Sequence, residues 1–212
     1  GAWRAAGEPV VLVTVARTWG SSPRPPGSLM AINGRGETVG SVSGGCIEDD
    51  LIERIRAGGI KAACAAHKPA VQRYGISADE AHRFGLPCGG TMELVLEPVS
   101  EHSRLEELLA ACEQRRSVER TLELATGQVR LADGRRDGVP TLDAQRLTTW
   151  FGPRFRIIVI GAGDLSRFLC EIALGLGFEL IVCDPRIERH ADWSLRGVDI
   201  SREMPDDLIL RV

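Results

Sequence analysis

The chain has 212 residues, of which 43% are hydrophobic, enough for one large domain or two small ones with a sizeable core. Its 26 basic and 29 acidic residues give a formal charge of −3, which argues against the strongly basic surface of a nucleic-acid-binding protein. No apolar run is long enough to span a membrane and no signal-type segment opens the chain, so a cytoplasmic protein without a membrane span is expected.

The first part of the chain is predicted to be a mixed α/β unit. Residues 9–17 are β-branched and almost continuously apolar, which indicates a buried strand, and a loop rich in Pro and Gly follows at 18–27. Apolar residues recur at helical spacing from Cys46 to Arg56, and Gly58-Gly59 ends that helix. The remaining elements predicted here are a hairpin turning at 33–36, strands at 71–74 and 91–98, a helix at 103–115 and two strands within 117–131.

A domain boundary is expected where the pattern weakens. Residues 136–154 are rich in Gly, Pro, Asp and Arg and show no clean period, which is typical of a linker. We therefore predict an N-terminal domain over residues 1–135 and a second domain over 155–212.

The second domain begins with the pattern of a dinucleotide-type Rossmann unit. An apolar strand at 157–160 runs directly into Gly161-Ala162-Gly163, and a helix and a second strand that ends at Asp184 follow. In this fingerprint Gly161 permits the tight turn and Gly163 lets the backbone approach a pyrophosphate. Asp184 is placed to accept hydrogen bonds from ribose hydroxyls, so NAD(P) or another nucleotide is a candidate ligand.

Two features qualify this nucleotide prediction. Ser166 stands where the third glycine of the fingerprint is usual, and Arg186 either meets a phosphate or pairs with an acid. Only about one βαβ unit fits into residues 155–212, whereas a complete dinucleotide site needs two such halves. The Rossmann-type domain is therefore expected to be incomplete in this chain, or to be completed by a partner such as the second copy in a homodimer.

Two of the six cysteines lie against paired glycines. They are Cys46, after Gly44-Gly45, and Cys88, before Gly89-Gly90. Because paired glycines let another group approach the backbone, these thiols are candidates for soft-metal ligation or sulfur transfer, or they are buried thiols near tight turns. Glu48 and Asp49 are interpreted as the solvated start of a helix rather than as acid/base groups. The other cysteines are predicted to be small buried hydrophobes: Cys64, Cys112, Cys170 and Cys183.

The segments 17–27, 40–48 and 88–90, with their Gly-Gly-Cys-Ile-Glu and Cys-Gly-Gly motifs, resemble the XdhC/CoxI family of xanthine dehydrogenase accessory proteins. The resemblance implies a maturation factor that binds molybdenum cofactor (molybdopterin) during its sulfuration and inserts it into an apo-molybdoenzyme of the xanthine dehydrogenase type. It implies a cysteine desulfurase as a second partner, and no catalytic residues of the chain's own. The positions carried over as cofactor-binding are Gly44, Gly45, Cys46, Cys88, Gly89 and Gly90. Direct contact of Cys46 and Cys88 with the metal is an inference from soft-ligand chemistry.

Two other functions remain open on the sequence. An NAD(P)-dependent oxidoreductase would use Gly161, Gly163 and Asp184 for its cofactor and the N-terminal half as its substrate domain. A structural dimerisation module would use the incomplete sheet alone. In the loop rich in Pro, Arg17 and Arg24 either bind a phosphorylated ligand or are solvent-exposed.

Overall fold

The computed structural model describes most of the chain, and three β-sheets organise it. In the first sheet all neighbouring strands are antiparallel, in the spatial order β3-β2-β1-β5-β4. Its strands are β1 (Val10–Trp19), β2 (Leu29–Asn33), β3 (Thr38–Gly40), β4 (Ala70–Tyr74) and β5 (Thr91–Pro98). The described residues are 2–20, 22–64, 68–75, 90–134, 138–153, 155–186 and 193–212, with only the backbone of Cys46.

One face of this sheet is covered by helix α2 (Cys46–Gly58), which follows a short N-terminal helix α1 (Ala2–Ala5). The helix buries Ile47, Leu51 and Ile55 against the sheet, so the apolar stripe predicted from the sequence is confirmed. Gly59, at φ +66°, caps the helix by donating its N–H to the carbonyl of Ile55 at 2.7 Å. A short helix α3 (Ile60–Ala63) leads on from there.

The other face of the first sheet packs on a second antiparallel sheet with the order β7-β6-β9-β8. Its strands are β6 (Val118–Glu123), β7 (Val129–Asp133), β8 (Thr141–Leu142) and β9 (Arg146–Phe151), and helix α4 (Leu105–Glu113) packs beside them. The expected linker over residues 136–154 is therefore wrong for 141–151, because these residues pair as strands within this sheet. Their period is obscured because β8 is only two residues long and its turn carries polar residues.

The third sheet is parallel and has the order β10-β11-β12. Strand β10 (Arg156–Ile160), helix α5 (Asp164–Gly175) and strand β11 (Glu179–Cys183) form the predicted βαβ unit, and β12 (Asp199–Ser201) and α6 (Pro205–Arg211) follow. The helix buries Cys170 and Ala173 against the sheet. The predicted fold class, a mixed α/β part followed by a parallel βαβ part, is confirmed.

Candidate functional site

The topology of the first sheet sends three loops to one of its ends. Strand β1 ends there at Trp19, which pairs with Thr91 at the start of β5, and the adjacent β4 ends there at Tyr74. Strand β3 also runs toward this end, and the loop after it leads into α2 at Cys46. A hydrogen bond of 2.8 Å from the Tyr74 hydroxyl to Asp50 ties the first turns of α2 to the end of β4. The predicted glycine motifs of the N-terminal half are thus attached to the same end of one sheet.

Two of these loops touch through their glycines. Gly20, which follows β1, has φ +71°, and a Cβ added there would lie 3.4 Å from the Cα of Gly90. Gly90 is buried and directly precedes β5. Gly20 of the Pro-rich loop and Gly90 therefore approach each other backbone to backbone. The predicted site residues Cys88 and Gly89 lie outside the described residues.

The loop before α2 is held together by the carboxylate of Glu48. The backbone N–H groups of residues 42–45 all donate to it, at 2.8 to 3.0 Å. The hydroxyl of Ser41 donates at 2.9 Å, and the hydroxyl of Ser43 also donates to the same carboxylate. These donors point into one concave loop, an arrangement that favours an anion, and here the anion is a side chain of the chain itself.

This contact corrects the interpretation of Glu48 as a solvated helix start. Burial raises the pKa of Glu48, but the hydrogen bonds from Ser43, Gly44 and Val42 outweigh burial and hold that pKa well below its usual range. The carboxylate is therefore ionised at neutral pH and fixes the loop. Sequence reasoning had a usable indication, because Glu48 is the third residue of its helix, where a glutamate commonly reaches back to the backbone before the helix.

The two predicted glycines of this loop border open space. Gly44 has φ +88°, a left-handed conformation that favours glycine, and Gly45 directly precedes the helix. An added Cβ at either position would meet no heavy atom within 4 Å in the described part of the chain. Cys46, whose backbone begins α2, comes immediately after this open stretch. Among the described residues, the backbone at Gly44 and Gly45 is therefore open to the approach of another group.

The other cysteines lie away from this end of the sheet, and three of the four are buried. Burial raises the pKa of the Cys64 thiol to about 12, and burial also raises the pKa of Cys170 and Cys183. These three thiols are protonated at neutral pH, as expected of small buried hydrophobes. Cys112 is partly buried in α4.

In the parallel part of the chain, the structure brings Gly161, Gly163 and Asp184 to the same place. Gly161 has φ +101° and donates its N–H to the carbonyl of Cys183 at 2.8 Å, and Gly163 caps α5. Asp184 is 1% exposed and accepts the N–H of Ala162 at 2.9 Å. The acid that follows β11 is therefore bonded directly to the glycine turn that follows β10.

The Asp184 carboxylate is, however, already engaged by Arg186. The guanidinium donates from Nε and Nη2 at 2.8 Å each, and the backbone N–H of Arg186 donates at 3.1 Å. These side-chain bonds, with the Ala162 N–H, hold the pKa of Asp184 well below its usual range. Of the two interpretations of Arg186, the structure shows the pairing with an acid. That acid is Asp184, the residue predicted to accept hydrogen bonds from ribose hydroxyls.

Ser166 also has a structural role at this turn. Its hydroxyl donates to the carbonyl of Gly161 at 2.6 Å, a bond that a third glycine would lack. The indole N–H of Trp193 donates to the carbonyl of Gly163 at 3.2 Å. Ser166, which replaces the third glycine of the fingerprint, thus adds a hydrogen bond that closes the turn.

The described part of the chain holds neither a cluster of metal-ligating side chains nor a helix able to span a membrane. No group of three or more His, Cys, Asp or Glu side chains in it is arranged to hold a metal ion. The proposed ligands Cys46 and Cys88 fall outside that statement, because neither side chain is described. None of the described helices combines the length and apolarity needed to cross a bilayer.

Known proteins resemble this chain along most of its length. It is 25% identical to the molybdenum cofactor insertion chaperone PaoD of Escherichia coli (strain K12), with 94% of this chain and 63% of that protein covered. It is 24% identical to a probable xanthine dehydrogenase subunit of Bacillus subtilis (strain 168), with 84% of this chain and 60% of that protein covered. The chain thus spans about three fifths of the length of these curated relatives.

A solved structure has a similar fold. The crystal structure of a xanthine dehydrogenase from Bacillus halodurans superposes with a TM-score of 0.60 and 24% identity, and the match covers 99% of this chain and 68% of that one. The sequence profile of the XdhC and CoxI family matches residues 3–75, which hold β1 to β4, the Glu48 loop and Cys46. Residues 3–75 are therefore similar in sequence to the XdhC and CoxI family.

Proposed function

We propose that this chain is an accessory protein that binds molybdenum cofactor and assists its sulfuration and insertion into an apo-molybdoenzyme of the xanthine dehydrogenase type. The observation that carries the proposal is the loop at residues 41–45. It is fixed by Glu48, leaves open space at Gly44 and Gly45, and leads directly to Cys46. The name of the Escherichia coli relative supports the same role.

The chemistry of the cargo suits this end of the sheet. Molybdenum in this cofactor is already bound by the two dithiolene sulfurs of molybdopterin, and thiolates are the protein ligands that suit such sulfur-rich centres. Cys46 and Cys88 would hold the metal end, and the glycine backbones at Gly44–Gly45 and Gly89–Gly90 would let the flat pterin approach. The role is one of holding and delivery.

Two protein partners follow from the proposal. A cysteine desulfurase would supply the sulfur atom, and the apo-molybdoenzyme would receive the finished cofactor. We also propose a homodimer, because α5 and the residue that caps its end carry a stripe of exposed apolar side chains that suits a protein contact: Leu165, Phe168, Leu169, Ile172 and Leu176. Light scattering tests the dimer.

The cofactor role is tested by purifying the chain from cells that make molybdenum cofactor and measuring molybdenum and pterin per mole of protein. We expect near-stoichiometric content, and transfer that activates an apo-molybdoenzyme. Cys46→Ala and Cys88→Ala should each reduce cofactor retention at least tenfold, whereas Cys112→Ala, a thiol on α4, should not. Background content in the unaltered chain would contradict the proposal, and unchanged retention in both variants would remove the thiols from it.

A nucleotide-dependent oxidoreductase is the second candidate, favoured by the meeting of Gly161, Gly163 and Asp184 at one turn. The pairing of Asp184 with Arg186 weighs against it, because the ribose hydroxyls would have to displace a guanidinium. Calorimetry with NAD, NADP and ATP separates the candidates. Micromolar binding followed by substrate-dependent hydride transfer would replace the chaperone proposal.

A further inference from the structure

Three charged side chains form a row across the first sheet, close to the end that carries the glycine loops. Arg17 on β1, Glu93 on β5 and Arg73 on β4 are paired in register, and the row lies on the sheet face away from α2. Arg73 donates from Nε to Glu93 at 2.7 Å, and Arg17 donates from Nη1 to the same carboxylate at 3.4 Å. One carboxylate thus lies between two guanidinium groups.

The burial of the three side chains is uneven. The Glu93 side chain is 4% exposed, whereas those of Arg17 and Arg73 are 44% and 57% exposed. A buried carboxylate needs a cationic partner, and one arginine is sufficient for that. Within this row, the second guanidinium leaves one positive charge in excess. The row is therefore more basic than the anchoring of Glu93 requires.

The two arginines use their nitrogens differently. Arg17 commits both terminal nitrogens, since its Nη2 donates to the carbonyl of Leu142 on β8. Arg73 commits Nε, and within the described residues its Nη1 and Nη2 have no hydrogen-bond partner. Arg17 is thus held in place by the second sheet, and Arg73 presents two donors that have no partner among the described residues.

These donors border a surface cavity of about 340 Å³ between β4 and the turns of the second sheet. Its remaining walls are mostly apolar, formed by Val71, Leu124, Leu142 and Ala144. The other acid on the wall, Asp143, accepts the backbone N–H groups of Gln145 and Arg146 and lies 3.8 Å from the Arg146 guanidinium. Asp143 is thus satisfied mainly within its own turn, and its charge also interacts with that of Arg17.

We propose that this cavity binds a phosphate monoester, with the phosphate on Nη1 and Nη2 of Arg73 and the organic part against the apolar walls. A guanidinium fork matches two phosphate oxygens, and the partly enclosed site strengthens the charge-assisted bonds. Arg17 is a positioning residue: it shares the charge of Glu93, so that Arg73 engages Glu93 through Nε alone and keeps Nη1 and Nη2 for the phosphate. This reassigns the phosphate role that the sequence suggested for Arg17.

If the chain binds molybdenum cofactor as proposed above, the phosphate of that cofactor is a candidate occupant of this cavity. Glu93 is three residues along β5 from Gly90, roughly 10 Å at the rise of an extended strand. Molybdopterin carries a phosphate on the short carbon chain beside the dithiolene that holds its metal, at the end opposite the pterin. A cofactor held by its metal at the glycine loops could place that phosphate at Arg73, around the end of the sheet.

The test uses phenyl phosphate and phenol as paired probes, measured by calorimetry at low ionic strength. We expect phenyl phosphate to bind at least tenfold more tightly than phenol. Arg73→Gln should remove that difference, and Arg73→Lys, which keeps the charge but loses the fork, should retain part of it. Arg130→Gln is the matched control, since Arg130 is an exposed arginine of β7 in the second sheet, outside this cavity.

The outcomes separate this inference from the proposed function. Equal binding of the two probes, or equal affinity of the unaltered chain and Arg73→Gln for phenyl phosphate, overturns the phosphate site even if the chain carries molybdenum and pterin. Phosphate-dependent binding that requires Arg73, in a chain that retains no cofactor, upholds the site and refutes the molybdopterin proposal. Equal loss in Arg130→Gln would mean diffuse charge attraction and would also overturn it.

Discussion

The carboxylate of Glu48 accepts the backbone N–H of Gly44 at 3.0 Å, so a residue of the helix holds the loop that precedes it. The same carboxylate takes the N–H groups of the neighbouring loop residues and two serine hydroxyls. Without this anion, several backbone donors of a partly buried loop would have to find water. The conformation that leads to Cys46 therefore depends on one side chain two residues further along.

Glu48→Gln should destabilise the protein and loosen this loop. The amide keeps one acceptor oxygen but turns an N–H donor toward backbone N–H groups, and it loses the charge. Because hydrogen bonds to charged groups contribute more than neutral ones, we expect the free energy of unfolding to fall by about 2 kcal/mol. Denaturant unfolding measures it.

Asp49→Asn provides the control for that experiment, since Asp49 is exposed in the same helical turn. It should change the free energy of unfolding by less than about 0.5 kcal/mol. If both variants behave alike, the effect comes from charge at the start of α2 and not from the contacts of Glu48.

Arg186→Ala should make the Asp184 carboxylate available to a ribose. In the unaltered chain a bidentate ion pair occupies that carboxylate, and ribose hydroxyls offer weaker, neutral donors. We expect the variant to bind NAD about tenfold more tightly, which corresponds to about 1.4 kcal/mol. Calorimetry with NAD checks this, with Arg211→Ala as the control because Arg211 pairs with Glu203 elsewhere. Unchanged NAD affinity in Arg186→Ala would mean that Arg186 does not control access to Asp184.

The buried pair of Glu97 and Arg120 gives a separate stability prediction. Arg120 donates to both carboxylate oxygens, at 2.7 and 2.8 Å, and both side chains are at most 3% exposed. The pair joins β5 of the first sheet to β6 of the second. Arg120→Met should cost about 3 to 5 kcal/mol because it leaves a buried carboxylate without its cation.

Adding Glu97→Leu to Arg120→Met should recover most of that loss, because the buried charge is then gone as well. Thermal or denaturant unfolding of the single and double variants measures the recovery. A double variant no more stable than Arg120→Met alone would show that the contribution of the pair lies in packing.

The strands and helices are largely predictable from the sequence where burial imposes a simple period. The stripe Ile47, Leu51 and Ile55 marks α2, and the apolar run before Gly161 marks β10. The pattern fails at residues 141–151 because β8 is two residues long and its turn is polar, so too few positions repeat to reveal a strand. Periodicity needs several buried positions on one face.

The candidate site is less predictable, because its organisation depends on contacts that residue types alone do not specify. Paired glycines draw attention to the loop at Cys46, but the role of Glu48 requires the loop geometry. Likewise, the sequence shows Asp184 as an acid that follows β11. Its ion pair with Arg186 depends on the tight turn in which the backbone N–H of Arg186 donates to the Asp184 carboxylate, and residue types alone do not specify that turn. Arg73 lies in a strand predicted from the sequence, but its pairing with Glu93 depends on the register between β4 and β5.

Because the Cys64 thiol is buried, we expect the protein to lose stability in alkaline solution. Burial raises its pKa in the folded protein to about 12, whereas an unfolded cysteine has a pKa of about 8.5. Stability from this group is therefore complete below about pH 8.5 and is lost as the pH rises toward the folded pKa. Above about pH 8.5 the slope approaches about 1.4 kcal/mol per pH unit.

Cys64→Ser removes this dependence, because a hydroxyl does not titrate in this range. The measurement is the free energy of unfolding at several values between about pH 8 and pH 10, compared between the two proteins. Cys112→Ser, which changes a partly buried thiol, should keep the slope. Parallel curves for the unaltered chain and Cys64→Ser would show that Cys64 is accessible to solvent.

The last prediction separates the conformational role of the paired glycines from their proposed binding role. Gly44 has φ +88°, so Gly44→Ala should lower the free energy of unfolding by about 1 to 2 kcal/mol. Gly45 is outside the left-handed region and borders open space, so Gly45→Ala should leave stability nearly unchanged. If the cofactor lies against this backbone, the added methyl group of Gly45→Ala should still reduce molybdenum and pterin retention. Full retention in Gly45→Ala would move the binding surface away from this loop, because the methyl group projects into the space that the cofactor is proposed to occupy.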